Sequence, residues 1–136
     1  MAHHRVKIFF DGGCRPNPGP MEAAVVLRGA VHLFGDMGQG TNTDAEWLAL
    51  IRAMELAHSL GLALMEQVGV ELIGDALPVI HQANEALRSG QPIAGPMRAH
   101  SVTFLALAAK APPARLRWIK REQNLAGIAL AARHPR

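Results

Sequence analysis

Three carboxylates occupy well-defined local settings and are the side chains of this chain best suited to catalysis. Asp11 ends the apolar run 6–10 and opens a turn rich in glycine and proline. Glu46 lies one turn into a long helical pattern, and Asp75 directly follows a second buried strand. Carboxylates at strand ends and at a helix start can meet at one edge of an α/β sheet, where they bind hard divalent cations. The three residues therefore predict a metal-dependent site for phosphodiester chemistry.

Each of these carboxylates, taken alone, also fits a structural role. Asp11 could cap its turn, Asp75 could cap the helix that follows it, and Glu46 could be an acid favoured by the helix dipole. The order of the three acids along the chain, each on a suitable element, favours a shared metal site over three separate roles.

Other polar side chains are weaker evidence for a site. Asp44 could serve at the cap of the helix that carries Glu46 or as an outer-shell metal ligand, and capping is favoured. Glu22 and Asp36 are expected to lie on the surface. No histidine has ligand spacing with another, so the histidines are expected to be packed or solvated. His134 differs only because it follows the last helical pattern.

Hydrophobic periodicity and turn residues predict the elements that would position these side chains. Strands are expected over 5–11, 22–28, 30–37, 68–74 and 114–120, and helices over 42–60, 77–87, 98–110 and 122–133. The short link at Gly29 makes the second and third strands an antiparallel hairpin. The order predicts an α/β fold with a mixed five-stranded sheet, three antiparallel strands then two parallel, and helices on both faces. No linker divides the chain, so residues 1–136 are expected to form a single domain. Trp47 and Trp118 are expected to anchor its core.

Composition narrows the class of protein. The chain has 136 residues, 49% of them apolar, which is enough for a buried core, yet no stretch is long enough to span a membrane. Residues 1–5 run straight into a strand, so no secretory signal is expected. The one cysteine, Cys14, excludes an intrachain disulfide and fits a reducing cytoplasm. Tyrosine is absent and aromatics are only 4%, which argues against modules that stack single-stranded bases.

Charge is unevenly distributed along the sequence. Residues 97–136 contain eight of the fourteen Lys and Arg and one acid, a balance of +7. Residues 1–96 contain six basic and ten acidic side chains, a balance of −4. A basic region beside an acidic cluster suits a polyanion held in one place and cleaved in another. The alternative is an ordinary solvated face.

Four segments, in order, resemble the motifs of type 1 ribonuclease H. They are 11–19 (Asp-Gly-Gly-Cys…Asn-Pro-Gly), 41–46 (Thr-Asn-Thr-Asp-Ala-Glu), 73–75 (Ile-Gly-Asp), and 118–124 (Trp-Ile-Lys-Arg-Glu-Gln-Asn) with 129–131 (Ala-Leu-Ala). Any one of them would be weak evidence. Together they cover nearly the whole chain, with the expected element between each pair. The resemblance implies a ribonuclease H-like fold.

The same resemblance implies hydrolysis of the RNA strand of RNA–DNA hybrids with two divalent ions, Mg²⁺ or Mn²⁺. By motif, Asp11 would bridge both ions, and Glu46 and Asp75 would complete the shell of one of them. Asn17 and Asn42 would touch the hybrid in its minor groove, where 2′-hydroxyls identify RNA. The implied substrate-binding set is Gly12, Gly13, Cys14, Asn17, Asn42 and Thr43. The hybrid is the expected partner, with no membrane and no obligate protein partner.

The clearest departure from the family is Ile128. The family has a fourth carboxylate four residues after the Asn of the last motif, and here that position, counted from Asn124, is Ile128. Isoleucine cannot ligate a metal, so the second ion is expected to bind weakly. A structural role would also explain an apolar residue at position 128. It would belong to one apolar stripe of the last helix that packs against the sheet, formed by Leu125, Ile128, Ala129 and Ala132.

These observations leave three alternative hypotheses for the function. The first is an active hybrid-specific endoribonuclease with a reduced metal shell. The second is a catalytically impaired module that binds RNA–DNA hybrid or another nucleic acid. The third keeps the fold but acts on a different nucleic acid.

Overall fold

The chain alternates strands and helices around one mixed sheet. The computed structural model of the protein describes residues 5–134; residues 1–4, part of the segment where no secretory signal is expected, lie outside the described residues. The strands are β1 (Val6–Cys14), β2 (Gly19–Leu27), β3 (Ala30–Phe34), β4 (Gln39–Gly40), β5 (Val70–Gly74) and β6 (Arg115–Trp118). The helices are α1 (Asn42–Ser59), α2 (Leu62–Gln67), α3 (Leu77–Ser89), α4 (Arg98–Lys110) and α5 (Leu125–Ala132), with a 3₁₀ turn over Arg121–Gln123.

The sheet has the order β3-β2-β1-β5-β6, and the two-residue β4 pairs with β2. The first three strands are antiparallel, whereas β5 and β6 run parallel to β1. The predicted fold class is therefore confirmed. The short strand β4 and the helix α2 are additions that the periodicity did not predict, because neither is long enough to show a repeat.

The strand β1 is longer than expected. Its parallel pairing with β5 ends at Phe9↔Ile73, but its antiparallel pairing with β2 continues through Asp11↔Ala24 to Cys14. The two glycines that suggested a turn are instead paired with β2. The prediction that Asp11 ends a strand is thus wrong; Asp11 lies inside β1, just beyond the end of β5.

A capping box sets the start of α1, the helix that carries Glu46. The Thr41 hydroxyl accepts a bond from the Asp44 amide at 3.1 Å, and the Asp44 carboxylate accepts one from the Thr41 amide at 3.0 Å. The predicted capping role of Asp44 is confirmed. The second Asp44 oxygen pairs with His100 Nε2 at 2.9 Å, which ties α4 to the start of α1.

Helices cover both faces of the sheet. Apolar side chains of α1, α3 and α4 pack with Ile8 and Phe10 on one face, and α5 packs on Ala24 and Val26 on the other. Trp47 is fully buried beside Phe104, as predicted for a core residue.

Trp118 does not anchor the core, and that prediction is wrong. Its side chain is 44% exposed and its ring N–H donates to the Asp75 carbonyl at 3.1 Å.

Among residues 5–134, no helix is both long and apolar enough to cross a membrane.

Candidate active site

Asp11, Glu46 and Asp75 line one pocket of about 300 Å³ at an edge of the sheet. Asp11 comes from the part of β1 that extends past β5, and Asp75 is the first residue after β5. The helix α1 packs across β1 and carries Glu46 to the same place. The structure thus brings together the three acids, which are distant in sequence. Asp75 does not cap α3, whose N-cap is Ala76.

The pocket holds acids whose charge its own cations only partly offset. Burial, and secondarily the charge of Asp75, raise the pKa of Asp11 to about 7. Burial, followed by the charges of Asp11 and Asp75, raises the pKa of Glu46 to about 7. A low dielectric and neighbouring like charges both disfavour the ionised form of a carboxylic acid. A bound cation would relieve both effects.

The donor set of the pocket fits a hard divalent ion. Oδ2 of Asp11 and Oδ2 of Asp75 lie 3.4 and 3.5 Å from the point that a Cβ on Gly127 would occupy, so they face the same small volume. Carboxylate oxygens are the ligands that Mg²⁺ and Mn²⁺ prefer. Within residues 5–134, no three His, Cys, Asp or Glu side chains are already close enough to hold a metal ion. Mutual repulsion favours this open arrangement until a cation binds.

Asn124 fixes the position of Asp75 relative to β1 and α5. Its side chain is fully buried, and Nδ2 donates to Oδ2 of Asp75 and to the Phe10 carbonyl, both at 3.0 Å. Its Oδ1 accepts from the Ala126 amide at 3.1 Å and so caps α5. One amide therefore connects a candidate ligand, the central strand and the last helix. The motif that contains Asn124 can be seen in the sequence, but its contacts can be seen only in the fold.

The predicted substrate-binding residues lie mainly along one side of the pocket. Gly12, Gly13, Cys14 and Asn42 line it. The side-chain oxygen Oδ1 of Asn42 accepts from the Cys14 backbone amide at 2.9 Å, and the Asn42 backbone amide donates to Oδ1 of Asn17 at 3.1 Å. These bonds join the end of β1 to the start of α1.

The other members of the substrate-binding set lie at the margin. Asn17 is exposed and is not among the residues that line the pocket, although it is bonded to that side. Thr43 is half-buried in the first turn of α1 and does not line the pocket.

Gly12 has a packing role as well. It is buried, and a Cβ at this position would lie 2.1 Å from the Ala45 carbonyl oxygen. Since real Cβ atoms do not approach an oxygen so closely, the first turn of α1 can lie this close to β1 only because residue 12 lacks a side chain.

The predicted stripe of α5 is wrong. Leu125 and Ile128 are 47% and 53% exposed, whereas Ala126 and Leu130 are buried against β2. The rotation of α5 follows from the buried cap at its first turn. Ile128 does not line the pocket; the α5 residues that do are Gly127, Leu130 and Ala131. None of these three side chains offers an oxygen to a metal.

Two cations also line the pocket, Arg15 and Arg121. The charge of Arg121 lowers the pKa values of both Asp11 and Glu46, and so offsets part of their elevation. The sequence motifs do not single out Arg121, because its place beside the acids depends on how the segment between β6 and α5 folds.

A fourth carboxylate lines the same pocket, and the sequence pattern placed it elsewhere. Glu22, expected on the surface, has a side chain only 16% exposed and pairs with His134 Nε2 and, at 3.7 Å, with Arg133 Nη1. His134, singled out only for its position after the last helix, thus contacts an acid of the pocket. The alternation of side chains along β2 was the available clue to the orientation of Glu22, because Glu22 and Ala24, two residues apart, must point to the same face of the sheet.

Comparisons of this chain with a family model and with known proteins point to the same family. The model of the reverse transcriptase-like family matches residues 9–134. Ribonuclease HI of Halobacterium salinarum is 39% identical over 93 residues, 65% of this chain and 44% of that protein. Ribonuclease H of Dechloromonas aromatica is 36% identical over 87 residues, 62% of this chain and 54% of that protein. The chain spans about half the length of each of these two relatives.

Solved structures match over more of their length. RNase H1 of Halobacterium salinarum is 30% identical with a TM-score of 0.69, covering 94% of this chain and 98% of that chain. LC11-RNase H1, solved in complex with an RNA/DNA hybrid, is 27% identical with a TM-score of 0.69, covering 89% of each chain.

Proposed function

Because this chain belongs to the reverse transcriptase-like family, as a type 1 ribonuclease H, we propose that it hydrolyses the RNA strand of RNA–DNA hybrids with divalent metal ions. The observation that carries the proposal is the meeting of Asp11, Glu46 and Asp75, from three elements, in one pocket. The pKa values of about 7 for Asp11 and Glu46 support it, because acids held this way favour a cation. We assign the activity to residues 1–136 as one domain, in a reducing cytoplasm.

Asp11, Glu46 and Asp75 would hold two ions, Mg²⁺ or Mn²⁺, with Asp11 shared between them. Ions held in this way activate a water and stabilise the leaving 3′ oxygen. We assign the orientation of the attacking water to Glu46, and Asn124 keeps the Asp75 carboxylate aimed at Asp11 through its 3.0 Å bond. Because α5 offers no oxygen ligand to the pocket, one ion is proposed to bind weakly and to favour Mn²⁺ or high Mg²⁺.

The substrate would lie along the edge formed by Cys14, Asn17 and Asn42. Gly13 carries no side chain there, so the backbone can approach the RNA strand closely. Asn17 is exposed beside this edge and provides an amide for minor-groove contacts. The likeness to LC11-RNase H1, solved with an RNA/DNA hybrid, supports the same class of substrate.

Cleavage of an end-labelled RNA–DNA hybrid tests the proposal. The wild-type chain should cut the RNA strand with Mn²⁺ or Mg²⁺, and Asp11→Asn, which removes one charge and keeps the shape, should not. Duplex DNA and duplex RNA of the same sequence should be cut much more slowly. A folded wild-type chain that cuts the hybrid with neither ion would contradict the proposal, as would cleavage that Asp11→Asn leaves unchanged.

A second candidate is a hybrid-binding module without turnover. The observation that favours it is the wall of α5, where Gly127, Leu130 and Ala131 give no metal ligand. Fluorescence anisotropy with the same hybrid separates the two functions. Tight, salt-sensitive binding without cleavage at any Mn²⁺ concentration would support this module.

A further inference from the structure

Glu22 lies on the same face of the sheet as Asp11, one step along the neighbouring strand. Asp11 pairs with Ala24, and Gly13 pairs with Glu22. Directly opposed residues, and residues two apart on one strand, point to the same face. Glu22 is therefore the diagonal neighbour of Asp11, at a Cα separation of about 7–8 Å.

Nothing stands between the two acids along β1. The residue opposite Glu22 is Gly13, which has no side chain, so the path from Glu22 to Asp11 crosses bare backbone. Both acids line the pocket together with Glu46 and Asp75, so the pocket has four carboxylates rather than three. The wall above them, from α5, provides only apolar side chains and Gly127.

The partners of Glu22 come from the end of α5. His134 Nε2 bonds to Oε1, and Arg133 Nη1 lies 3.7 Å from Oε2. Both partners are about one third exposed, at 34% and 37% of their side chains, whereas the acid is 16% exposed. These contacts hold the mostly buried Glu22 carboxylate at the pocket.

We propose that Glu22 is a fourth metal-binding carboxylate, supplied by β2, which ligates the second divalent ion beside Asp11. This inference rests on the proposed function, because it assumes that Asp11, Glu46 and Asp75 bind metal. To ligate the ion, the Glu22 carboxylate would have to give up its bond to His134 Nε2. Loss of this bond would add to the lack of an oxygen ligand from α5 in weakening the second ion.

Titration of the full chain with Mn²⁺ alone, followed by electron paramagnetic resonance of the free ion, tests this inference. Glu22→Gln should weaken the second Mn²⁺ by about tenfold or more and leave the first nearly unchanged. Asp36→Asn is the matched control, because it also removes one negative charge, from an exposed position on the neighbouring recess. It should change either affinity by less than about twofold.

A second variant separates metal binding from a purely structural pair. His134→Gln weakens the closer of the two contacts of the Glu22 carboxylate without removing the carboxylate, so the second Mn²⁺ should bind as well as in the wild type or more tightly. If Glu22 only anchors α5, Glu22→Gln and His134→Gln will lower the melting temperature equally and change neither Mn²⁺ affinity. That result would overturn the inference.

Asp11→Asn distinguishes this failure from failure of the proposed function. If Asp11→Asn loses Mn²⁺ and Glu22→Gln does not, the metal site stands and only the role of Glu22 falls. If neither variant changes Mn²⁺ binding, both proposals fall.

Discussion

At the scale of single residues, Asp11 combines a cost to stability with the metal-binding role proposed for it. Its pKa in the folded, metal-free protein is about 7, compared with 3.8 for the free side chain. Between these values the folded state binds more protons than the unfolded state, so the free energy of unfolding falls as pH rises from about 4 to about 7. The folded chain is therefore destabilised by this acid at pH 8.

Asp11→Asn should raise the melting temperature of the metal-free protein at pH 8 and flatten its pH dependence. Each 1 kcal/mol gained in the free energy of unfolding raises the melting temperature of a domain of this size by about 3–5 °C. Thermal unfolding in EDTA at pH 5 and pH 8 measures the effect, with the exposed Asp36→Asn as control. If Asp11→Asn instead melts at a lower temperature than the wild type at pH 8, the charge of the Asp11 carboxylate is compensated in the folded protein and the expected destabilisation is contradicted.

Arg121 should set the pH at which the site accepts a metal. Its charge lowers the pKa values of Asp11 and Glu46, so Arg121→Gln should raise both. Metal binding requires the ionised acids, and its midpoint should shift to higher pH in the variant. Above pH 8, where both acids are ionised, loss of a neighbouring cation should strengthen binding. Mn²⁺ titrations from pH 6 to pH 9 test both signs, and an unshifted midpoint would contradict the assignment.

At the scale of elements, the sequence allows prediction where a local pattern decides the structure. The start of α1 follows from Thr41 and Asp44, whose capping box is a short-range pattern. The placement of Asp75 follows from a short apolar strand. The rotation of α5 does not follow from its own residues, because Leu125 and Ile128 look as suitable for the sheet as Ala126 and Leu130. Asn124 decides it through long-range bonds to Phe10 and Asp75.

Asn124→Ala should therefore destabilise the protein by about 2–4 kcal/mol, because it leaves the Phe10 carbonyl without its side-chain donor and removes a helix cap. Asn84→Ala is the matched control: Asn84 is exposed and makes one bond, to the Leu116 carbonyl at 2.9 Å. It should cost less than about 1 kcal/mol. Urea unfolding of both variants gives the comparison, and equal losses would contradict the proposed importance of Asn124.

The two adjacent glycines of β1 should respond differently to the same change. Gly12→Ala places a Cβ against the Ala45 carbonyl and should cost about 3 kcal/mol or more, because α1 must move off the sheet. Gly13→Ala meets only Oδ1 of Asn42, at 3.6 Å, and should leave folding nearly unchanged. Chemical denaturation of the pair measures the difference. A stable Gly12→Ala protein would show that the close approach of α1 to β1 is not required.

At the scale of the whole molecule, the sheet order explains why distant acids meet. In the sheet order, β1 lies between the antiparallel strand β2 and the parallel strand β5. The residues of β1 beyond its pairing with β5 therefore lie beside β2 and beside the residue that follows β5. Asp11 and Glu22 come from the antiparallel side, Asp75 comes from the parallel side, and Glu46 comes from the helix above. The motifs predicted three of these acids in order. For Glu22, the alternation of β2 indicates only which face the side chain shares with Ala24; its place beside Asp11 depends on the strand register, which the sequence pattern does not give.

Charge around the pocket should govern affinity for a polyanion. Arg15 lines the pocket, so Arg15→Ala should weaken hybrid binding and reduce the slope of log affinity against log salt by about 1. Arg5 precedes β1 at the opposite end of that strand, and Arg5→Ala should leave the slope unchanged. Anisotropy titrations at several salt concentrations, with Ca²⁺ in place of Mg²⁺, give both slopes. Equal slopes for wild type and Arg15→Ala would place the substrate elsewhere.

The shared cation site is tested most directly by a crystal of the full chain soaked in Mn²⁺ and measured at the manganese absorption edge. We expect an anomalous peak in the pocket, with oxygens of Asp11, Asp75 and Glu46 drawn around it. An empty pocket in a crystal that binds Mn²⁺ elsewhere, with these carboxylates still apart, would contradict the account.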